Sequence, residues 1–367
     1  MRKSPRILPI HMAMAGSYWQ GAMARGEKDA AGVQADATNM MRGIQAYMAH
    51  DYVRDEPDYD VVYAAGEVRV FSKGGAALDR APVLLIPSMI NGSAILDLMP
   101  ERSMFDTFYA AGLQPYLLDW GEAIKDAGLA DFDVLFAGRL LPAIAALRAQ
   151  HNRPVHLVGY CMGGTMAVAA ARLSDDVAGL ATIAAPWDFY HGALSERVKF
   201  WSLSILPSMA DKGFMDVDWL QMLFSSLDES MGVEKFARFA ALCDRGDQGS
   251  DEAALFVAVE DWLNDGVALP QGIARAVIQD WYFGNAPMRG GWRVCGQGIV
   301  PEEIDVPALV IASTKDRLVE YDSARALAEA LPDAQLIDPE CGHIGMIAGR
   351  RAKKDVWDVI GDWILGH

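Results

Sequence analysis

The chain is poor in cysteine. Four occur in 367 residues, at positions 161, 243, 295 and 341. They form no C-x-x-C pair and keep no regular spacing, which argues against a disulfide framework or a zinc site and fits a reducing compartment. No uninterrupted apolar stretch approaches the ~18 residues of a membrane span. Met1-Arg2-Lys3, with Pro5 and Pro9 close behind, leads into no apolar run and no cleavage site, so no signal peptide is expected. Basic charge is also in deficit. Lys and Arg number 32 against 49 Asp and Glu, a formal net charge of −17. An excess of that sign repels phosphate backbones and anionic surfaces, so no nucleic-acid partner is expected. Internal repeats and low-complexity tracts are missing too. What remains is 52% apolar, too much for a disordered chain and enough for a substantial core. A cytoplasmic globular protein of one large domain or two small ones is expected.

From residue 61 onward the apolar residues fall into a rhythm. Val61-Val62-Tyr63, Val68–Phe71, Val83–Ile86, Tyr116–Leu118, His156–Val158 and Leu180–Ile183 read as strands, with helices expected over 101–111, 131–150 and 162–173. The pattern lapses between Trp187 and about Val300. It resumes with strands at Ala308–Ile311 and Gln335–Ile337 and helices over 323–331 and 351–365. Short continuous apolar runs alternating with helical stretches predict a mainly parallel sheet with helices on both faces. A structureless loop of roughly 110 residues is improbable, so the interruption is expected to be a helical cap inserted into one α/β domain. The expected organisation is a helical extension over 1–60, an α/β core over 61–186 and 300–367, and a cap or lid over 187–299.

The sharpest chemical signal is Gly159-Tyr160-Cys161-Met162-Gly163-Gly164, between a strand-like run and a helix-like one. This is the G-x-nucleophile-x-G elbow of α/β-hydrolases, with Cys in place of the usual Ser. The glycines admit the tight strand-to-helix turn, and the helix N-terminus favours a thiolate at Cys161. A buried structural cysteine beside a glycine-rich turn is the plainer alternative, and chain order speaks against it. In this fold the acid and then the histidine follow the nucleophile. Of seven histidines only His343 and His367 come late enough, and His367 is the last residue. His343 lies in Glu340-Cys341-Gly342-His343-Ile344-Gly345, just past the final expected strand. Asp316, in Thr314-Lys315-Asp316-Arg317, follows the strand Ala308–Ile311. The expected catalytic set is therefore Cys161, Asp316 and His343.

The roles follow from ordinary acidities. A free thiol near ~8.5 is only slightly ionised at neutral pH, an imidazole near ~6.5 can take its proton, and a carboxylate can hold the imidazole in one tautomer. The oxyanion needs backbone N–H donors. Met162, directly after the nucleophile, is one. The other should come from the loop Pro87-Ser88-Met89-Ile90-Asn91; Pro87 has no N–H, and Ile90 is taken as the donor. A sulfur nucleophile exchanging with a thioester yields another thioester, still open to attack by an alcohol. That tilts the reading from hydrolysis toward acyl transfer.

The elbow, the stretch Ala94-Ile95-Leu96-Asp97-Leu98-Met99-Pro100-Glu101-Arg102-Ser103, the tetrapeptide Leu118-Asp119-Trp120-Gly121 and Gly342-His343-Ile344-Gly345 together resemble the polyhydroxyalkanoate synthases. The likeness runs from about residue 80 to the C-terminus, and the length is similar to that of the short, partner-requiring (class III) branch. It implies an α/β-hydrolase fold with a large helical cap. It also implies a Cys–Asp–His triad at Cys161, Asp316 and His343, with polymerisation of (R)-3-hydroxyacyl-CoA and release of CoA at the surface of a polymer granule. Asp316 is implied to help deprotonate the substrate hydroxyl. Implied partners are the growing polyester chain, a second copy of the chain and a small helical subunit. The CoA thioester is the substrate, and no cofactor or metal is expected. Two other readings stay open: a cysteine-type polyester depolymerase or acyl-CoA thioesterase of the same fold, and a non-catalytic granule-associated subunit.

Other features have competing explanations. Six of ten tryptophans, at 187, 201, 219, 262, 281 and 292, fall in the interruption, as a lid over an acyl tunnel or as ordinary core. Met12, Met14, Met23, Met40, Met41 and Met48 form either an adaptable surface or a helix packed on its own domain. Asp119-Trp120 reads as structural, Cys341 as a small buried residue, and Arg102 and Arg317 as candidate basic neighbours of an anionic CoA.

Overall fold

Strand residues buried on both faces have no polar side to alternate with, and this is what the apolar runs become. In a computed structural model, which describes residues 2–6, 8–126 and 128–367, eight of them form one sheet. The strands are β1 (Asp60–Ala65), β2 (Val68–Ser72), β3 (Pro82–Ile86), β4 (Gln114–Asp119), β5 (Val155–Tyr160), β6 (Val177–Ile183), β7 (Ala308–Ile311) and β8 (Ala334–Ile337). Every residue of β3, β5 and β7 is buried. The spatial order is β1-β2-β4-β3-β5-β6-β7-β8. The first two strands run antiparallel and β3 to β8 are parallel. From β3 the chain moves to β4 on one side and then back to β5 on the other. That reversal opens a crevice at the carboxyl ends of the strands, the usual place for a ligand site in an open α/β sheet.

The helices needed below are α1 (Leu8–Ala24), α2 (Ala30–Ala49), α3 (Met162–Leu173), α4 (Ala193–Lys212), α5 (Val217–Ser225), α6 (Met231–Asp244) and α7 (Asp251–Asn264). The helical extension expected over 1–60 is two helices with a break between them. Gly26 takes a φ of +71°, and Asp29 caps α2 by accepting from the Gly32 amide at 2.8 Å, a side-chain cap of the kind that starts a new helix.

The chain divides into two compact units, Met1–Asp55 with Val217–Gly266 and Glu56–Asp216 with Val267–His367. This redraws the expected boundaries. The interruption is helical, but it does not form one cap over 187–299. Its middle part, 217–266, groups with the N-terminal helices, and its two ends group with the sheet. The first unit packs Met40, Ile44 and Tyr47 of α2 against Val233, Phe236 and Phe239 of α6, with Ala253 and Val257 of α7. Gly43 marks the closest crossing, since a Cβ there would lie 1.9 Å from the Phe236 carbonyl oxygen. Arg2 ties the strap before α1 to this unit, its guanidinium donating to Asp261 at 2.7 Å and to the carbonyl of His50 at 2.7 Å.

In the second unit, Trp187, Trp281 and Trp292 are core. Trp281 stacks on Phe132 with centroids 5.2 Å apart and meets Trp292 edge-on at 5.0 Å. The methionines divide similarly: Met40 is fully buried, while Met12, Met23 and Met41 are exposed.

Candidate active site

The elbow is built by close approach. A Cβ on Gly159 would lie 2.5 Å from the Cα of Gly164, and one on Gly163 would lie 2.3 Å from the carbonyl oxygen of Ile86. Both positions must be glycine for β5 to turn directly into α3 beside β3. At the apex Cys161 has φ +55° and ψ −128°, a conformation that costs a non-glycine residue about 1–3 kcal/mol. It is held by the Cys161 amide donating to the Ile183 carbonyl at 2.8 Å, and by the Gly164 amide donating to the Cys161 carbonyl at 2.9 Å. Strain of this kind persists where the surroundings over-determine it, and it lifts the thiol onto the carboxyl edge of the sheet.

Asp316 and His343 arrive on the loops after β7 and β8. His343 Nδ1 is 2.7 Å from Asp316 Oδ2, with side-chain exposures of 10% and 0%. The second oxygen of Asp316 accepts from the amides of Leu318 at 2.8 Å and Val319 at 3.0 Å. Both carboxylate oxygens are therefore engaged, and the side chain has no face toward solvent. The two loops are clamped to each other by Asp338. It accepts from Thr314 Oγ1 at 2.9 Å and from the Glu340 amide at 3.0 Å. Burial raises the Asp338 carboxyl, and the bonds from Glu340 and Thr314 outweigh it, so the group stays below the usual range.

His343 completes the set by hydrogen bonding to the Cys161 side chain as well as to Asp316. Burial disfavours its charged form. The charges of Asp316 and Cys161, with hydrogen bonds to both, overcome this and raise the ring to about 10. With Nδ1 committed to Asp316, Nε2 is the nitrogen left for sulfur. The residues singled out by chain order are thus brought together: a strained sulfur, an imidazole that holds its proton through the neutral range, and a fully buried carboxylate behind it.

The oxyanion expectation meets a more particular geometry. Met162 begins α3, where the first four amides of a helix lack partners within it. In the loop after β3 the Ile90 amide is 3.4 Å from Ser88 Oγ, a long contact, and the Ile90 carbonyl accepts from the Val267 amide at 2.7 Å. Three further residues pack beside these groups or against the loop after β3. Tyr160 donates its hydroxyl to the His343 carbonyl at 3.4 Å, with the rings 5.1 Å apart. Tyr282 packs edge-on against Phe189, and burial together with the charge of Cys161 pushes its phenol up. Trp120 donates its indole N–H to the Pro87 carbonyl at 2.9 Å. Tyr160 adjoins the nucleophile within the motif, which was a usable signal; Tyr282 and Trp120 carry none without the fold.

Other neighbours find plain roles. Asp97, in the Ile95–Ser103 run, is buried and bonded to Lys73 and Tyr59. Burial pushes the Cys341 thiol up to about 11, with help from Asp355. Arg317 is exposed, and Arg102 bonds the carbonyl of Glu101 at 2.8 Å.

This sheet order and elbow define an α/β-hydrolase. A family model for the alpha/beta hydrolase fold matches residues 119–349, and the chain belongs to that family. More particularly, it is similar to the poly(3-hydroxyalkanoate) polymerase subunit PhaC of Haloferax mediterranei, 27% identical over 83% of this chain and 63% of that one. It is likewise similar to the subunit of that name from Allochromatium vinosum, 28% identical over 80% of this chain and 82% of that one. It thus spans less than two thirds of the Haloferax protein. Among solved structures, an alpha/beta fold family hydrolase from Bacillus anthracis str. Sterne aligns at TM-score 0.49 with 12% identity, covering 84% of this chain and all of that one. The likeness to polyhydroxyalkanoate synthases read from short motifs therefore extends over about four fifths of the chain. No helix among the described residues is long and apolar enough to cross a membrane.

Proposed function

We propose that this chain is an acyltransferase of the polyhydroxyalkanoate synthase type, joining 3-hydroxyacyl units from CoA thioesters through an acyl group carried on Cys161. The observation that carries the reading is the Asp316–His343–Cys161 chain of contacts at the apex of a strained elbow, in a protein similar to PhaC subunits. In the first half-reaction His343 already holds the proton that Cys161 gives up, and the thiolate attacks the thioester carbonyl carbon. Negative charge develops on the carbonyl oxygen, where the amide of Met162 and one from the Ser88–Ile90 loop would stabilise it. The tetrahedral adduct collapses, the bond to the CoA sulfur breaks, and His343 returns the proton so that CoA leaves as its thiol. In the second half-reaction neutral His343 takes the proton from the 3-hydroxyl of another unit. That oxygen attacks the acyl–Cys161 thioester, an ester bond forms, and the Cys161 sulfur leaves and is protonated by His343. The net change is one thioester and one alcohol to one ester and one thiol.

Asp316 acts in this scheme through the histidine. With both oxygens engaged and no exposed face, it orients the ring and stabilises its charge, and a direct approach to the substrate hydroxyl has no support in this geometry. Action at the surface of a polymer granule belongs to the same proposal, as do a cytoplasmic location and pairing with a second copy or a small helical subunit. The test is incubation with (R)-3-hydroxybutyryl-CoA. CoA release with polymer formation is expected, whereas CoA release with free acid as the sole product would assign a thioesterase instead.

A further inference from the structure

Resting on that reading, we propose that Trp120 is a positioning residue for the oxyanion site, its indole N–H setting the orientation of the loop that faces the nucleophile. Trp120 lies one residue past β4, beside β3 in the sheet, and is 3% exposed. It donates to the carbonyl of Pro87, the first residue of the loop after β3, in a buried bond of 2.9 Å. A peptide unit is planar and trans. Fixing the Pro87 carbonyl therefore fixes the plane of the Pro87–Ser88 peptide and points the Ser88 amide the opposite way. The same carbonyl is confined from the nucleophile's side: a Cβ on Gly163 would lie 2.4 Å from it. The indole and the first turn of α3 thus hold one peptide plane between them.

The far end of the loop has its own anchor, the Val267 amide donating to the Ile90 carbonyl at 2.7 Å. The amides of Ser88, Met89 and Ile90 lie between these two anchors, and any second oxyanion donor from this loop must be one of them. Proline fixes φ at position 87 but leaves ψ to rotate. Trp120 is the hydrogen-bond donor that restrains that rotation. Its position after Asp119 is itself fixed, because Asp119 accepts from the Gly121 amide at 2.7 Å and from Ser93 Oγ.

The experiment compares the unmodified protein with Trp120→Phe and with Trp120 replaced by β-(3-benzothienyl)alanine, which keeps the bicyclic shape and lacks the N–H. Three quantities are read: the acylation burst with p-nitrophenyl butyrate, the kinetics of CoA release from 3-hydroxybutyryl-CoA, and the rate of Cys161 alkylation by iodoacetamide. Alkylation develops no oxyanion. Misplacing an oxyanion donor should lower the burst rate and kcat about 10- to 100-fold, leaving KM and the alkylation rate within about twofold, for the sulfur isostere as well as for phenylalanine. A burst that is unchanged in both variants overturns the inference. A fall in alkylation parallel to kcat also overturns it, because Trp120 would then support the nucleophile or the fold at large. A burst without CoA release in the unmodified protein defeats only the acyl-CoA reading and leaves Trp120 testable. Failure of both there overturns that reading and the inference with it.

Discussion

Cys161 and Cys341 are both partly buried free thiols, and the loop that carries Cys341 also carries the histidine to which Cys161 hydrogen bonds. Their surroundings differ in three ways. Cys161 occupies a strained backbone at the start of a twelve-residue helix, whereas Cys341 follows Glu340, the strained residue of its own loop. Cys161 hydrogen bonds to His343, which is in turn bonded to Asp316. Cys341 lies among carboxylates, and burial pushes its thiol up to about 11. His343 thus bonds a sulfur 182 positions away along the chain, because strand ends gather what the sequence disperses. A thiol's reactivity depends on what faces the sulfur as well as on solvent access.

The comparison is broken most directly by exchanging the roles of the two thiols. Cys161→Ala should reduce CoA release by at least ~10³-fold, since members of a catalytic set fail as a unit. A Cys161→Ala protein that still released CoA would place the acyl carrier at another residue. Asp316→Asn keeps the shape and should cost about 10²–10⁴-fold in kcat, through loss of the imidazole's orientation and of its charge stabilisation. Gly163→Ala, read by denaturant unfolding, should destabilise by about 1–3 kcal/mol, because its Cβ meets main-chain oxygens that have nowhere to move.

A subtler contrast concerns pH. The histidine's ordinary value is 6.5 and the folded protein holds it at about 10. The folded state therefore binds a proton more tightly, and the stability this contributes is complete below pH 6.5 and lost as pH rises through about 10. Melting temperatures of the unmodified protein and Asp316→Asn should differ most near pH 6.5 and converge toward pH 10; a gap that widens with pH would contradict the assignment. The smallest effect is expected at Cys341→Ala, with kcat within about twofold, in keeping with a core-type substitution away from the reacting atoms.

The parallel sheet was legible because fully buried strands leave continuous apolar runs, and helix α3 begins and ends where its sequence suggested, at Met162 and Leu173. The proximity of Cys161, Asp316 and His343 was legible because this fold imposes such an order along the chain. The grouping of 217–266 with the N-terminal helices was not legible. Helices such as α2 and α6 recognise each other through surfaces like Gly43 against the Phe236 carbonyl, a long-range fit that leaves no local pattern. The anchors of the site were hidden for the same reason. Trp120 to Pro87, Asp338 to Thr314 and Val267 to Ile90 join residues whose types are ordinary and whose separation in sequence is large. The break between α1 and α2, at Gly26 and the capping residue Asp29, was not read from the sequence, because it sits within a stretch otherwise rich in helix formers.

Where the acyl group is bonded can be read directly with a donor that cannot be elongated. Butyryl-CoA lacks the 3-hydroxyl, so an acyl group taken from it has no alcohol to pass to the next unit. Peptide mapping by mass spectrometry after brief incubation and acid quenching should find a butyryl thioester on the peptide containing Cys161 and none on that containing Cys341. Butyryl bound only to another residue, or no adduct while CoA is released, would contradict the account.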